Sequence, residues 1–155
     1  MKQTQMSSEQ FRAYLKTRNY KKPRKHRNKI VYVYEDGYVT STKNEGHGII
    51  KERFDSQKEY DRWSELKLLE RAGEIGELRR QVPFELFPAF SDKEGVRHQA
   101  VNYKADFTYT EKGTEVVEDV KAYDVVRGKH LTTETFNLKW KILKAKYPDR
   151  VFRLY

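Results

Sequence analysis

Two stretches of alternating polar and apolar residues constrain this chain more than any other feature of its sequence. Residues 103–109 and 115–121 each alternate with period two, which is typical of half-buried β-strands. Lys112 and Gly113 lie between them and can form a two-residue turn, because glycine adopts positive φ angles at no steric cost. The two strands are therefore predicted to pair as an antiparallel hairpin.

The alternation assigns side chains to the faces of this hairpin. One face of the first strand is predicted to carry Val101, Tyr103, Ala105, Phe107 and Tyr109. The second strand is predicted to have one face with Val116, Glu118 and Val120, and another with Val117, Asp119 and Lys121. A two-residue turn also sets Asp106 directly opposite Asp119. A bulge would shift that register by one residue and separate the two aspartates.

Asp106 and Asp119 form the candidate reactive pair. Like charges facing each other across two strands are destabilising unless something lies between them. A hard divalent cation suits this position, because it takes oxygen ligands from one or two carboxylates plus water. The alternative is a solvated face on which the aspartates pair with Lys104 and Lys121. The hairpin by itself leaves both interpretations open.

Composition limits the class of protein. A chain of 155 residues suits a single domain. The absence of cysteine excludes disulfides, a thiolate zinc site and a cysteine nucleophile. No apolar run is long enough for a membrane helix, and the N-terminus lacks a signal-peptide core. We expect a soluble, cytoplasmic protein with no membrane partner.

The net charge of +9 is concentrated at the N-terminus. Residues 1–30 contain ten Lys and Arg but only one acidic residue, Glu9, whereas the rest of the chain is balanced. Residues 1–29 are therefore predicted to be a partly flexible basic arm that contacts nucleic acid. Its candidate contact residues are Lys21, Lys22, Arg24, Lys25, Arg27 and Lys29. A solubilising tail is the alternative.

Residues 30–155 are predicted to form one domain, with an extra hairpin at 30–50 and a core at 51–155. Asp36-Gly37 is the turn signal of the hairpin. In the core, a first helix runs from the N-cap residue Ser56 to Gly73. A second helix follows Thr132 or Thr133, and its buried stripe is Phe136, Trp140, Leu143 and Tyr147.

Further strands at 81–87 and 151–155 complete an α/β fold with helices packed on a mixed sheet. Residues 90–95 are expected to form a polar loop, and residues 124–130 a flexible basic loop that offers Arg127, Lys129 and His130 to phosphate. The second helix adds Lys139. No pair of histidines has the spacing of metal ligands.

Glu59 has two possible roles in the first helix. It lies one helical turn before Trp63, at the edge of the predicted buried face, where its carboxylate could serve a reaction. It also completes the capping-box pattern that begins at Ser56, in which it would bind the N-cap amide. Spacing favours neither role over the other.

The order of these motifs carries a family resemblance. Asp106 followed by Asp119-Val120-Lys121, after a helix bearing Glu59, resembles the PD-(D/E)xK nuclease superfamily, whose restriction-endonuclease-like core is αβββαβ. Ala105 stands where that signature has proline. Motifs between residues 50 and 147, including Gln81-Val-Pro-Phe-Glu-Leu86 and Lys139-Trp-Lys141, resemble a phage-borne family of small proteins, formerly of unknown function, grouped with Holliday-junction resolvase-like nucleases.

The resemblance implies roles for the site residues. Asp106 and Asp119 are the expected metal ligands, with the Val120 carbonyl completing a Mg²⁺ or Mn²⁺ site. Lys121 is expected to orient or deprotonate the attacking water, and Glu59 to add a carboxylate from the helix. A bound cation supplies the nucleophile and the charge neutralisation that phosphodiester hydrolysis requires.

The expected function is that of a metal-dependent DNA endonuclease acting on branched DNA in phage recombination or packaging. The alternatives are a transposase-like or end-directed nuclease subunit, and a non-catalytic DNA-binding module that kept the fold. Symmetric resolution of a four-way junction requires two active sites, and hence a homodimer. Tyr32, Tyr34 and Tyr38 of the extra hairpin are hypothesised to form its twofold interface, unless that hairpin covers a sheet edge within one monomer.

Overall fold

The computed structural model describes residues 29–155, which begin with a small antiparallel sheet. Its strands are β1 (Val31–Tyr34), β2 (Val39–Thr40) and β3 (Ile50–Phe54), in the order β2-β1-β3. The predicted hairpin is thus present, and a 3₁₀ turn at Glu45–His47 follows it. β3 begins at residue 50, at the predicted boundary between the extra hairpin and the core, and pairs with β1.

The remaining chain forms the core. Its helices are α1 (Gln57–Arg71) and α2 (Glu134–Lys146). Its long strands are β4 (Gly76–Phe87), β7 (Val101–Glu111), β8 (Thr114–Asp119) and β11 (Val151–Leu154). Two short hairpins join them, β5 (Phe90–Ser91) with β6 (Arg97–His98), and β9 (Tyr123–Asp124) with β10 (Lys129–His130).

The main sheet has the order β11-β8-β7-β4 and is mixed, since β11 is parallel to β8 and the other neighbours are antiparallel. Two helices flank it, and the element order α1, β4, β7, β8, α2, β11 confirms the predicted α/β class and is compatible with a restriction-endonuclease-like core. Ser56 and Thr133 are the N-caps: each side-chain oxygen accepts the N–H three residues later, as their chemistry predicts.

The β7–β8 hairpin has the predicted turn and register. Lys112 and Gly113 have φ angles of 50° and 79°, the left-handed pair that suits a tight two-residue hairpin turn. Phe107 pairs with Glu118 and Thr108 with Val117, without a bulge between these strands. The same register carries Asp106 to the level of Asp119, where the two strands cease to pair.

The predicted face of β7 is wrong over part of its length. Tyr103 and Ala105 pack with Trp140 and Leu143 of α2, whereas Phe107 belongs to the cluster around Leu66 of α1. Tyr103 and Phe107 are four residues apart and would share a face in a regular strand. The alternation of β7 is therefore interrupted between Ala105 and Phe107.

The interruption coincides with an irregularity in the neighbouring strand. The pairs Arg80–Phe107 and Val82–Ala105 bracket Gln81, whose φ angle is 53°. Arg80 stacks on Phe54, at 3.7 Å from guanidinium carbon to ring centroid, while Val82 packs on the α2 cluster. Both strands therefore change faces at one level of the sheet, because a left-handed residue rotates the strand about its axis.

Two predicted loops contain secondary structure. Residues 90–95 include β5, which pairs with β6, and Asp92 organises the turn by accepting the N–H groups of Glu94 and Val96. The predicted flexible loop at 124–130 belongs to the β9–β10 hairpin. Neither short strand pair has the long alternating pattern by which strands are recognised in a sequence.

The tyrosines of the extra hairpin are not all available to a partner. Tyr34 is buried, and its hydroxyl accepts the Asn44 N–H at 2.6 Å. Tyr38 is partly exposed but stacks on His47 at 3.7 Å between ring centroids. Tyr34 therefore contributes to the fold of its own small sheet, which corrects the hypothesis that its side chain lies in a twofold interface. In residues 29–155, neither helix has the length and apolar character to cross a membrane.

Candidate metal and catalytic site

The candidate site lies where β7 and β8 stop pairing. Asp119 is the last residue of β8, and Val120 and Lys121 continue beyond the strand. Asp106 projects from β7, and its Oδ2 accepts the main-chain N–H of Val120 at 2.8 Å. Because the strands separate here, both carboxylates lie at the open end of the hairpin. The hydrogen bond to Val120 ties Asp106 to the segment that follows β8.

Glu59 performs a capping role with one oxygen and faces the site with the other. Its Oε2 accepts the N–H of Asp55 at 3.0 Å, one residue before the N-cap amide that a standard capping box uses. Its Oε1 accepts a hydrogen bond from Gln81 at 3.1 Å. The two roles that the sequence left open are therefore compatible in one side chain.

Gln81 joins two elements that lie far apart in the sequence. Its Nε2 donates to Glu59 Oε1 at 3.1 Å and to Asp106 Oδ1 at 3.2 Å, so one amide bridges the carboxylates of α1 and β7. Gln81 was recognised from the sequence only as the first residue of a motif in the family resemblance and was given no role, because a polar side chain in a strand does not reveal its partners. Its left-handed backbone also cannot be anticipated, since few non-glycine residues adopt it.

Asp119 is buried, and β7 supplies its hydroxyl partner. The Tyr103 hydroxyl donates to Asp119 Oδ2, and Tyr103 was not among the predicted site residues. Asp119 Oδ1 lies against the Lys121 ammonium but accepts no hydrogen bond of normal geometry. Asp119 Oδ2 is thus held by the Tyr103 hydroxyl, and Asp119 Oδ1 faces the Lys121 ammonium.

Lys121 is held at both its main chain and its side chain. Its ammonium also lies 3.3 Å from the Val120 carbonyl oxygen and 4.4 Å from the centroid of the Phe136 ring. The Lys121 N–H donates to the Tyr155 carbonyl at 2.9 Å, and Lys58 Nζ donates to the Lys121 carbonyl at 2.9 Å. Lys58 is therefore a second cation beside the site that sequence reasoning did not identify.

Burial shifts the pKa of three groups in the site, Glu59, Asp106 and Lys121. It raises the pKa of Asp106 and of Glu59, and the neighbouring Asp106 charge raises the pKa of Glu59 further. Burial lowers the pKa of Lys121, an effect that Asp106 and Glu59 oppose. The site thus concentrates groups whose charged forms are disfavoured, as catalytic and ion-binding sites do.

The donor set fits a hard divalent cation. Asp106, the Asp119 oxygen beside the Lys121 ammonium and the Val120 carbonyl are oxygen ligands of the kind Mg²⁺ takes, with water filling the other positions. Among residues 29–155, no group of three His, Asp or Glu side chains converges to hold a metal without such help. A site here would therefore depend on the main-chain carbonyl and on water.

Glu118 points away from this site, as its position in the alternation predicts. Arg62 Nε and Nη2 bind its two carboxylate oxygens at 2.6 Å and 2.9 Å, and the Tyr109 hydroxyl donates to it at 2.8 Å. Glu118 is 1% exposed, so this is a buried ion pair between β8 and α1. Adjacent acidic residues therefore have separate duties, one in the core and one in the site.

The candidate nucleic-acid contacts are only partly described. The positions Lys21, Lys22, Arg24, Lys25 and Arg27 lie outside the described residues. Lys29, Arg127 and Lys129 are exposed. His130 is half-buried, with its ring edge against Tyr123. The Lys139 ammonium donates to the Asn102 carbonyl at 2.9 Å, so it is engaged by β7.

Comparison with known proteins places the chain in context. A family described as "Protein of unknown function (DUF1064)" matches residues 42–154, which is well over half of the chain and contains every element from β3 to β11. A search of the curated proteins gave no match. The family description assigns no activity, so the chemistry has to be argued from the site.

Proposed function

We propose that this chain, which belongs to the DUF1064 family of proteins of unknown function, is a metal-dependent DNA endonuclease that hydrolyses phosphodiester bonds. The observation that carries the proposal is the grouping of Asp106, Asp119 and Lys121 where one hairpin opens, with Glu59 joined to Asp106 through Gln81. Two carboxylates, a carbonyl and an adjacent lysine are what metal-assisted phosphodiester cleavage needs.

Asp106, Asp119 and the Val120 carbonyl would hold Mg²⁺ or Mn²⁺. When bound, such an ion lowers the pKa of a water ligand and neutralises charge on the scissile phosphate. The protein's part is to keep its ligands in position. Tyr103 holds one oxygen of Asp119, and the Val120 N–H and Gln81 hold the two oxygens of Asp106.

Lys121 is the candidate proton acceptor and phosphate-facing group. Burial lowers the pKa of its ammonium, so the neutral amine is reached at a lower pH than for an exposed lysine. While protonated, it offsets the negative charge that develops on the phosphate. Lys58 and Glu59 are neighbours on α1, so this helix brings one positive and one negative group to the same edge.

The test is a cleavage assay with the purified full chain, Mg²⁺ or Mn²⁺, and plasmid, linear duplex and four-way-junction DNA. We expect cleavage that EDTA abolishes, and a loss of about 10²–10⁴-fold in Lys121→Ala, the range for removing a proton-transferring group. Asp119→Asn should remove cleavage and leave the protein folded. Full activity in Asp119→Asn would overturn the assignment of the site, whereas binding without cleavage in wild type would support the non-catalytic DNA-binding module.

Branched DNA and a homodimer are the finer part of the proposal, with the host-cell cytoplasm as its location during phage recombination or packaging. Two copies related by a twofold axis would nick a four-way junction at symmetric positions. Sedimentation should then detect a dimer at micromolar concentration. The cleaved four-way junction should carry paired nicks. A monomer that cuts linear duplex and junction equally would leave an end-directed or transposase-like nuclease subunit as the better description.

A further inference from the structure

The β9–β10 hairpin carries the most exposed large apolar side chains among the described residues. Val125 is 83% exposed and Val126 is 96% exposed, and they are adjacent in the sequence. Apolar surface left in water forgoes the free energy that its burial would contribute. A single exposed valine is ordinary, but an adjacent pair at the tip of a hairpin indicates a surface that contacts a binding partner.

The tip is held in shape by its own hydrogen bonds. Asp124 Oδ1 accepts the N–H groups of Val126 and Arg127, both at 3.0 Å. The Leu131 N–H donates to the Ala122 carbonyl at 2.7 Å and closes the base of the hairpin. These hydrogen bonds hold the backbone of the tip in a conformation that exposes both valines.

Positive charge borders the apolar tip. Arg127 and Lys129 are exposed on the same hairpin. Asp124 offsets this charge only weakly, since its Oδ2 lies 3.6 Å from Arg127 Nε while Oδ1 serves the backbone. An apolar point next to cations is complementary to DNA, in which phosphates lie outside and apolar base faces lie between them.

The hairpin adjoins the candidate catalytic lysine. β9 begins at Tyr123, two residues after Lys121, and Val126 lies five residues after Lys121. Five extended residues span at most about 18 Å, which is close to five base-pair steps of about 3.4 Å. A DNA molecule with its scissile phosphate near Lys121 would therefore have the tip within a few base pairs.

We propose that Val125 and Val126 form a wedge that enters DNA where base stacking is already interrupted, and that this selects branched DNA for the neighbouring site. This inference rests on the proposed nuclease function, because selecting branched DNA matters only if the neighbouring site cleaves it. Insertion into an intact duplex must unstack a base step, and a branch point, where stacking is already interrupted, largely avoids that cost. The same hairpin would then bind both kinds of DNA but penetrate only one.

The wedge is tested without cleavage. A four-way junction with 2-aminopurine beside the branch point is titrated with the full chain in EDTA. We expect fluorescence to rise on binding, because the analogue brightens when it is unstacked. The double variant Val125→Ser/Val126→Ser should lose most of that rise and still bind with unchanged salt dependence. Val96→Ser is the matched control, since Val96 is 53% exposed in the turn of the other short hairpin.

Cleavage supplies a second, separable readout. If wild type cuts DNA, the double variant should keep its rate on linear duplex and lose about tenfold in its preference for the junction. A wild type that brightens 2-aminopurine but cuts nothing would end the nuclease proposal and leave the wedge standing. Unchanged fluorescence and unchanged preference in the double variant would overturn the wedge, as would a variant that changes only the oligomeric state.

Discussion

Asp106 accepts a hydrogen bond from the main-chain N–H of Val120 at 2.8 Å, so a side chain of one strand closes the end of its neighbour. The same carboxylate is a candidate metal ligand. A substitution at this position can therefore act on the fold, on the chemistry or on both, and the choice of replacement decides which effect is measured.

Asp106→Asn should abolish metal-dependent cleavage and leave the metal-free protein within about 1 kcal/mol of wild-type stability. The amide oxygen can still accept the Val120 N–H, and repulsion with Glu59 is removed. Asp106→Ala, by contrast, should cost about 1–3 kcal/mol because the N–H loses its acceptor. Thermal melting in EDTA measures both. A large loss in Asp106→Asn would indicate that the Asp106 charge stabilises the fold through its attraction to Lys121, and would count against a metal site.

The stability of the metal-free protein should depend on the charge of Glu59. Its folded-state pKa is raised, chiefly by burial and then by Asp106, so the stability linked to its protonated form is complete below the unfolded pKa. That stability is lost as the pH rises through the folded-state value. The melting temperature of wild type minus that of Glu59→Gln should therefore fall as the pH rises above about 4.5. A constant difference would contradict this account, and added Mg²⁺ should reduce the fall.

Gln81→Gly and Glu77→Gly form a matched pair. Both positions have φ angles near 50°, at 53° and 52°, where glycine relieves backbone strain. The Glu77 carboxylate accepts from Thr110 and takes no part in the candidate site. Both variants should stay within about 1 kcal/mol of wild type in urea denaturation, whereas only Gln81→Gly should lose cleavage and weaken Mn²⁺ binding. Equal effects on activity would show that the backbone, and not the bridging amide, matters.

Glu118→Ala should destabilise the fold by about 3–5 kcal/mol, because it leaves the buried Arg62 guanidinium without its carboxylate. At the adjacent position, Asp119→Asn should lose activity with a smaller loss of stability, because the amide can still accept from the Tyr103 hydroxyl and the Lys121 side chain is partly exposed. Urea denaturation of the two variants compares neighbouring carboxylates directly. Similar stability losses in both would contradict the separation of core and site.

Deletion of residues 1–29 should weaken DNA binding and flatten its salt dependence. The segment carries ten of the chain's positive side chains, and the slope of log K against log salt falls by about 0.9 for each phosphate that the protein ceases to neutralise. Lys121→Ala is the control, since it should alter turnover much more than binding. Fluorescence anisotropy between roughly 50 and 200 mM salt covers the informative range. An unchanged slope would assign the arm to solubility or to a protein contact.

The sequence alone determined the features that depend on neighbours along the chain. The turn at Lys112 and Gly113 set the β7–β8 register, because glycine supplies the left-handed angle and two-residue turns permit one pairing. The caps at Ser56 and Thr133 followed from the hydrogen-bonding capacity of their side chains. The opposite directions of Glu118 and Asp119 followed from the pleat of a strand.

Tertiary structure decided the features that require residues distant in sequence. Gln81 reaches Glu59 and Asp106, 22 and 25 positions away, because packing keeps it in a left-handed conformation that its own propensity disfavours. The face change of β7 at that level and the burial of Tyr34 also depend on contacts that no local pattern encodes. The two aspartates were thus visible in the sequence, whereas the amide that joins one of them to the helix exists only once the sheet and helix have packed together.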